Sequence, residues 1–235
     1  MANRPVFILN NSAPYFRKID IEFEYASGFA LVQKQKNINN LHKDFLTLYP
    51  NHKILEVSTK SPDILGIQLS AFNLEFSING QKYPVEILYQ ASKVYNSGIN
   101  NNIVLKMQPN EAKKFLNEIN DKYILKEFIF NGISFPLEPK TYFYNWLYIN
   151  ALMRNKKLIQ EILDYGYNAF TDIEYNPKKS INCQAQALAI GISLIKNKQI
   201  FDLYNNNFID HIAFLNTVYQ GFTHYSYSTI DLTDL

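Results

Sequence analysis

Cysteine is almost missing: Cys183 is the only one in 235 residues, so no internal disulfide can form. The four histidines do not combine with it at any zinc-ligand spacing, and no metal is called for. Such cysteine usage fits a reducing compartment. A strong charge of one sign is missing too. The formal net charge of +2 neither announces a nucleic-acid surface nor repels a phosphate-bearing ligand. No run approaches membrane-spanning length, and Met1 to Leu9 lacks a long apolar core with a small-residue cleavage site, so the expected location is the cytoplasm. Neither a phosphate loop ending in Gly-Lys-Ser/Thr nor a dinucleotide glycine fingerprint occurs, which removes support for the standard ATP and NAD folds. Internal repeats and low-complexity linkers are lacking as well, and a chain of this length fits one domain.

What is present is apolar and aromatic. Hydrophobic residues make up 47% and aromatics 15%, against 19% charged, which suits a buried core and not a disordered chain or a charged coiled coil. Ile19, Ile21, Phe23 and Tyr25 alternate with Asp20, Glu22 and Glu24, the pattern of a strand with one wet face. Ile38, Leu41, Phe45 and Leu48 recur at three- and four-residue steps, predicting an amphipathic helix over Lys34 to Leu48 that ends before Pro50. A short strand follows at Ile54 to Val57. Asn79-Gly80 and Asn131-Gly132, each between alternating flanks, predict two-residue hairpins over Phe76 to Tyr83 and Phe128 to Phe135. Pro84 suits a first helical turn, so Val85 to Tyr95 reads as a helix. Spacing and absent breakers predict further helices over Asn110 to Ile119, Lys140 to Met153, Lys156 to Leu163, Ile181 to Lys196 and Asn207 to Gln220. Asparagine clusters at 10–11, 100–102 and 205–207 read as loops, and the tail after Gly221 as peripheral. The fold class is α+β, mainly helical, with short strands and hairpins.

Polar chemistry concentrates in two places. On a helix over Val85 to Tyr95, Glu86, Tyr89, Gln90 and Lys93 share one face at i, i+3, i+4 and i+7. Two readings stand side by side. On a surface helix, Val85, Leu88 and Ala91 face the core while Glu86 and Lys93 are solvated charges. In a cleft, burial raises the carboxylate pKa and lowers the amine pKa, tuning one for proton transfer and the other for nucleophilic attack. The second place is the polar loop from Phe170 to Gln184, in which Lys178, Lys179 and Ser180 precede a helix. It is either a phosphate site built from backbone N–H groups and positive charge, or a capped helix with solvated lysines. Cys183 reads as a small buried hydrophobe, and no histidine stands out as catalytic.

Taken in order, Leu69-Ser70-Ala71-Phe72, the hairpin, Tyr83-Pro84-Val85-Glu86, Tyr89-Gln90 and Lys93 resemble the signature of the NADAR (YbiA-like) family. That signature has a Ser-Asn-Phe element, then a Glu-His helix with an aromatic-Gln pair and a following lysine. Ala71 and Ile87 stand where the family commonly has Asn and His, and its glycine-rich carboxyl-terminal loop is replaced by Asp172 to Asn182, without glycine. These departures match the branch of NADAR antitoxins associated with DarT toxins, and there the resemblance runs along nearly the whole chain. Its pieces are Arg4-Pro5-Val6-Phe7, Ile19 to Glu24, Gln33-Lys34-Gln35-Lys36, Ser61-Pro62, Gln68 to Asn73, Pro136 to Lys140, and the Asp172 and Asn182 loop. Residues 1–60 then hold the strand and helix portion particular to that branch.

The resemblance implies a NADAR-type single domain over 1–235. It implies cleavage of the N-glycosidic bond between ADP-ribose and guanine in single-stranded DNA, as antitoxin to a DarT-type ADP-ribosyltransferase, with ADP-ribose as product and no cofactor. Glu86 is then the carboxylate beside the anomeric carbon. A lysine amine is the nucleophile: Lys93 by motif position, with Lys36, Lys60 and Lys140, which lie in segments particular to the branch and could enter the same cleft, as the alternatives. Asp172 completes the catalytic set and, with Asn182, orients ribose hydroxyls or base edges. Ser70, Phe72, Tyr89 and Gln90 shape the pocket. Two rivals stay open: an N-glycosidase acting on ribosylaminopyrimidine phosphates of riboflavin synthesis, as in another NADAR branch, and a module that holds ADP-ribose or the toxin without chemistry.

Overall fold

The computed structural model describes residues 1–78, 80–99, 101–107, 109–205 and 208–220. The chain opens with a long hairpin, β1 (Ala2–Leu9) and β2 (Phe16–Phe23), then helix α1 (Leu31–Leu48), strand β3 (Ile54–Glu56) and short helix α2 (Ile64–Gln68). A second hairpin, β4 (Glu75–Ile78) and β5 (Gln81–Pro84), leads into α3 (Val85–Ala91), β6 (Lys93–Tyr95), a 3-10 turn at Asn101–Lys106, and α4 (Pro109–Lys122). A third hairpin, β7 (Leu125–Phe130) and β8 (Ile133–Phe135), precedes α5 (Tyr142–Arg154), α6 (Lys156–Tyr165), β9 (Ala169–Thr171) and α7 (Gln184–Lys196). The described part closes with α8 (Ile200–Leu203), the pair β10 (Tyr204–Asn205) and β11 (Phe208–Ile209), and α9 (His211–Val218).

The main sheet has the order β2-β1-β9-β3, with β9 antiparallel to β1 and parallel to β3. Successive side chains of a strand point to opposite faces, and both faces here are covered. Val6, Ile8, Ile21 and Phe23 lie under Ile38, Leu41 and Phe45 of α1. Phe7, Leu55 and Phe170 join the larger core built on α5 and α7. That double cover is why Val6, Phe7 and Ile8 are apolar in succession, whereas edge strand β2 keeps Asp20 and Glu22 in water. Helices α5 and α7 run through the centre of the molecule, buried along most of their lengths. Gly191 allows their close approach: a Cβ there would lie 3.1 Å from Leu152 Cδ2.

Three expectations need amendment. Helix α3 stops at Ala91, not Tyr95, because Ser92 diverts the chain: its Oγ donates to the Leu88 carbonyl at 2.7 Å, and its own carbonyl accepts the Ile129 N–H at 2.8 Å. Lys93 to Tyr95 therefore become strand β6, with Lys93 opposite Phe128 of β7. Helix α7 begins at Gln184, not Ile181. The last helix begins at His211, capped by Asp210, whose Oδ1 accepts the Ala213 N–H at 2.7 Å. Both Asn-Gly hairpins have the expected register, Ile78 opposite Gln81 and Phe130 opposite Ile133; Asn79, Asn100, Asn206, Asn207 and the tail after Gly221 lie outside the described residues. Among the described residues no helix is long and apolar enough to cross a membrane.

Candidate active site

Parallel pairing of β3 with β9 sets Glu56 opposite Thr171 and brings the carboxyl ends of both strands to one edge. Glu56 is 1% exposed and accepts three hydrogen bonds: from the Ser58 hydroxyl at 2.7 Å, the Thr171 hydroxyl at 2.7 Å and the Ile173 N–H at 2.8 Å. Gly66 lets α2 pass directly over this strand end, since a Cβ there would come within 2.0 Å of the Glu56 carbonyl oxygen. The chain leaving β9 folds back through Asp172, whose Oδ1 accepts the N–H groups of Glu174 at 3.1 Å and Tyr175 at 3.2 Å. At the start of α7, Gln184 accepts the Ala71 N–H on Oε1 at 2.7 Å, and its side chain also hydrogen-bonds Asp172. Burial, and then the neighbouring Glu56, push Asp172 well above the usual carboxylate range. Glu56 is also raised, chiefly by burial, with its three hydrogen-bond donors opposing. Both carboxyl groups are thus held above their ordinary range, burial being the first cause for each.

The second group gathers on α3. The first N–H groups of that helix are satisfied by the 69–74 segment: Val85 donates to the Leu74 carbonyl and Glu86 to that of Ala71, both at 2.9 Å. Ser70 is buried under this turn, holding Asn73 Nδ2 on its Oγ at 3.0 Å, while Phe72 points outward, 61% exposed. Glu86 accepts a hydrogen bond from Gln90 Nε2 at 2.8 Å. Although Lys93 sits on β6 and not on the helix, its Nζ still lies 5.6 Å from the centre of the Tyr89 ring. Burial lowers the Lys93 amine, with the charge of Glu86 opposing. Tyr89 packs among Phe128, Phe143 and Tyr144, and burial pushes its phenol up to about 12, against an Asn182 hydrogen bond that lowers it. Tyr144 joins the two groups: its buried phenol is raised first by desolvation and then by both Glu86 and Asp172.

Beside Tyr89 opens a cavity of about 380 Å³, lined among others by Phe128, Leu137, Lys140, Lys179 and Asn182. The Oδ1 of Asn182 is buried at this wall without a hydrogen-bond partner. Of the residues expected from sequence, Tyr89, Lys140 and Asn182 line this cavity, Lys93 stands against the Tyr89 ring, Glu86 is held by Gln90 on the same helix, and Asp172 meets Glu86 through Tyr144. Lys36 is elsewhere, exposed on α1; Lys60 is half-buried, and its N–H donates to Ser58 Oγ at 3.1 Å, next to Glu56 rather than Glu86. The lysine of the 33–36 run that faces inward is Lys34, whose Nζ lies 2.7 Å from Glu174 Oε1.

Glu56, Thr171, His42, Gln184 and Tyr144 escaped sequence reading. The signal for Glu56 is a lone acid between Leu55 and Val57 in an otherwise apolar strand. A larger cavity, about 700 Å³, lies against Leu88, Ala91, Phe130 and Lys106; among the described residues that line it there is no carboxylate and none of the candidate residues. Burial raises Cys183 well above the usual thiol range, which makes it a poor nucleophile. No group of three or more His, Cys, Asp or Glu among the described residues is arranged to hold a metal ion.

A family model described as DarT1-associated NADAR antitoxin matches residues 2–224. Among curated proteins none matches the chain.

Proposed function

Because the chain belongs to the DarT1-associated NADAR antitoxins, we propose that it is an N-glycosyl hydrolase that strips ADP-ribose from guanine in DNA, repairing the lesion its partner toxin makes in the cytoplasm. The observation that carries this reading is a half-buried lysine amine, Lys93, against the Tyr89 ring and under the influence of Glu86, with Tyr144 beside Tyr89 linking Glu86 to Asp172.

Breaking the bond between guanine and ribose develops positive charge at the anomeric carbon. Glu86, held by Gln90, stabilises that charge. The Lys93 amine attacks the anomeric carbon; the carbon–nitrogen bond to guanine breaks, its electron pair leaves with guanine, and Asp172 supplies the proton. The lysine adduct passes its extra proton to Glu86 and opens to an imine. Water then adds to the imine, returns the amine and releases ADP-ribose, and the proton left on Glu86 passes through solvent to Asp172, which restores both carboxyl groups. Burial of Lys93 shifts its balance towards the unprotonated amine that attack requires. Phe72 stacks an unpaired base at the surface, Asn182 offers its unpartnered oxygen to the ligand, and Lys140 and Lys179 meet phosphates.

The test is a single-stranded oligonucleotide carrying ADP-ribosylated guanine, incubated with catalytic amounts of protein and followed by mass. Multiple turnovers by the wild type, with a folded but inactive Glu86→Gln, support the proposal. Stoichiometric retention of ADP-ribose without turnover overturns it in favour of a non-catalytic reader.

A further inference from the structure

We infer that Gln184 is a positioning residue for the reaction: its side-chain amide is a strut that fixes the Asp172 carboxyl relative to helix α3, and so sets the spacing between the proton donor and Glu86. This rests on the roles of Asp172 and Glu86 given above. It assigns their mutual geometry to a buried side chain that does not line the cavity beside Tyr89.

Gln184 is the first residue of α7 and is 7% exposed. The Ala71 N–H can only donate, so the side-chain oxygen must face it, at 2.7 Å. The NH2 group is then turned the other way, where the hydrogen bond to Asp172 lies. Ala71 spends its other main-chain group on α3: its carbonyl accepts the Glu86 N–H at 2.9 Å. One unbroken path of hydrogen bonds therefore runs from the Asp172 carboxyl, through the Gln184 amide and the Ala71 backbone, to the first turn of the helix that carries Glu86. Each link joins a different element: the turn after β9, α7, the 69–74 segment and α3. An amide NH2 serves a carboxyl in either protonation state, because a protonated carboxyl keeps an acceptor oxygen.

The units that the strut joins are each closed on themselves. The N–H groups of Glu174 and Tyr175, at 3.1 and 3.2 Å from Asp172 Oδ1, belong to the same turn as Asp172 and move with it. In the 69–74 segment the N–H groups of Asn73 and Leu74 return to the Ser70 carbonyl at 2.9 and 2.7 Å. The Tyr148 hydroxyl ties that segment to α5, donating to the Leu69 carbonyl at 2.6 Å. Gln184 bonds to both units and relates one to the other. Burying a long side chain costs rotamer freedom, and burying its amide costs hydration. Here both ends of the amide are satisfied, the condition under which a buried polar group rigidifies its surroundings. An apolar chain of the same length would fill the space and link nothing.

Gln184→Met makes that replacement. Tm falls, since two buried bonds are lost, and a glutamine that served stability alone would show nothing more. The strut adds a kinetic loss: a misplaced proton donor costs rate and leaves binding alone. On the modified oligonucleotide kcat therefore drops about tenfold to a hundredfold, with KM within about twofold of wild type, at a temperature where both proteins are folded. Gln184→Asn, one methylene shorter, keeps the amide but cannot span both anchors, and serves where Gln184→Met does not fold. The strut is also read without substrate, by amide hydrogen exchange in the full chain. Asp172→Ala leaves Ala71 and Gln184 in place yet frees the far end of the strut, so exchange at the Ala71 amide speeds up several-fold. Wild-type kcat in a folded Gln184 variant, or an Ala71 amide indifferent to Asp172→Ala, overturns the inference and leaves hydrolysis standing. Faster Ala71 exchange in a protein that never turns over the oligonucleotide keeps the link and removes the proposed function instead.

Discussion

Two polar regions meet at Tyr144, and they are built on opposite terms. At the carboxyl edge of β3 and β9, Glu56 is saturated with donors, Thr171 bridges to His42, and Gln184 ties Asp172 to the Ala71 backbone. At the α3 cleft, the Lys93 amine has an aromatic ring and a distant carboxylate for company, Asn182 Oδ1 is buried unpartnered, and lysines stand at the rim. A satisfied buried network is costly to disturb and rigid; an unsatisfied, half-open one leaves bonds for a ligand to make. The first region is thus expected to report damage as lost stability, the second as lost activity.

Gly66→Ala should break the first region most severely. Its Cβ would lie 2.0 Å from the Glu56 carbonyl and 2.4 Å from Ser61 Oγ, and the nearer of these is backbone that has no rotamer to escape into. We expect a loss of about 4 kcal/mol or more in urea denaturation. A loss below about 1 kcal/mol would mean that α2 is free to slide off the strand. Lys93→Met puts the comparison to its opposite test: turnover should fall about a thousandfold. Stability should hold or rise slightly, because a half-buried charge is replaced by an apolar chain of similar length. If turnover survives, the nucleophile is another lysine, and Lys34 beside Glu174 becomes the first to replace.

Thr171→Val keeps shape while removing one donor from Glu56 and the acceptor of His42. The expected cost is about 2 kcal/mol in thermal denaturation, the desolvation penalty of buried groups left unpaired. His42 itself gives a pH signature. Its pKa is depressed from 6.5 unfolded to about 4 folded. Its contribution is therefore fully present above pH 6.5 and is lost as pH falls towards 4, by at most about 3 kcal/mol. Asp172 and Glu56 have raised values and run the other way, contributing at low pH and losing that contribution as pH rises through their folded values. The clean readout is thus the stability difference between wild type and His42→Gln. It should move in the mutant's favour as pH drops from 6.5 to 4; a difference independent of pH would show that His42 is not held neutral.

These two regions were unequally legible in the sequence, for a physical reason. Local period carries information over a turn or two of helix or strand. Ile38, Leu41 and Phe45 therefore revealed the buried face of α1, and the Asn-Gly pairs revealed the hairpins. Glu86, Tyr89 and Gln90 were readable because they lie on one short helix. Lys93 was placed on that helix although it lies on β6: the decision between helix and strand is made by Phe128 and Ile129 of β7, which the local pattern cannot see. The partners of Glu56 were hidden because Thr171 and Ile173 are 115 and 117 residues away and meet it only through the parallel pairing of two three-residue strands. Strand β9 is too short to show a period, and β1 contains Pro5, which offers no N–H to a ladder.

The smallest predicted effect asks how far the open region extends towards the DNA. Lys140 and Lys179 are exposed, face one cavity with Tyr89 and Asn182, and are not needed to hold any element together. If they meet phosphates, each Ala substitution should raise KM several-fold and leave kcat unchanged, because contact with a remote phosphate is made equally in ground and transition states. Each should also flatten the dependence of log affinity on log salt by about 0.7 for a single-stranded ligand, the signature of one fewer released counterion. Titrating the modified oligonucleotide at several salt concentrations, with Glu86→Gln as a background to prevent turnover, measures that slope. A Lys140→Ala protein with an unchanged slope but a depressed kcat would bring Lys140 into the chemistry, and the boundary between the cleft that reacts and the rim that binds would have to be redrawn one residue further out.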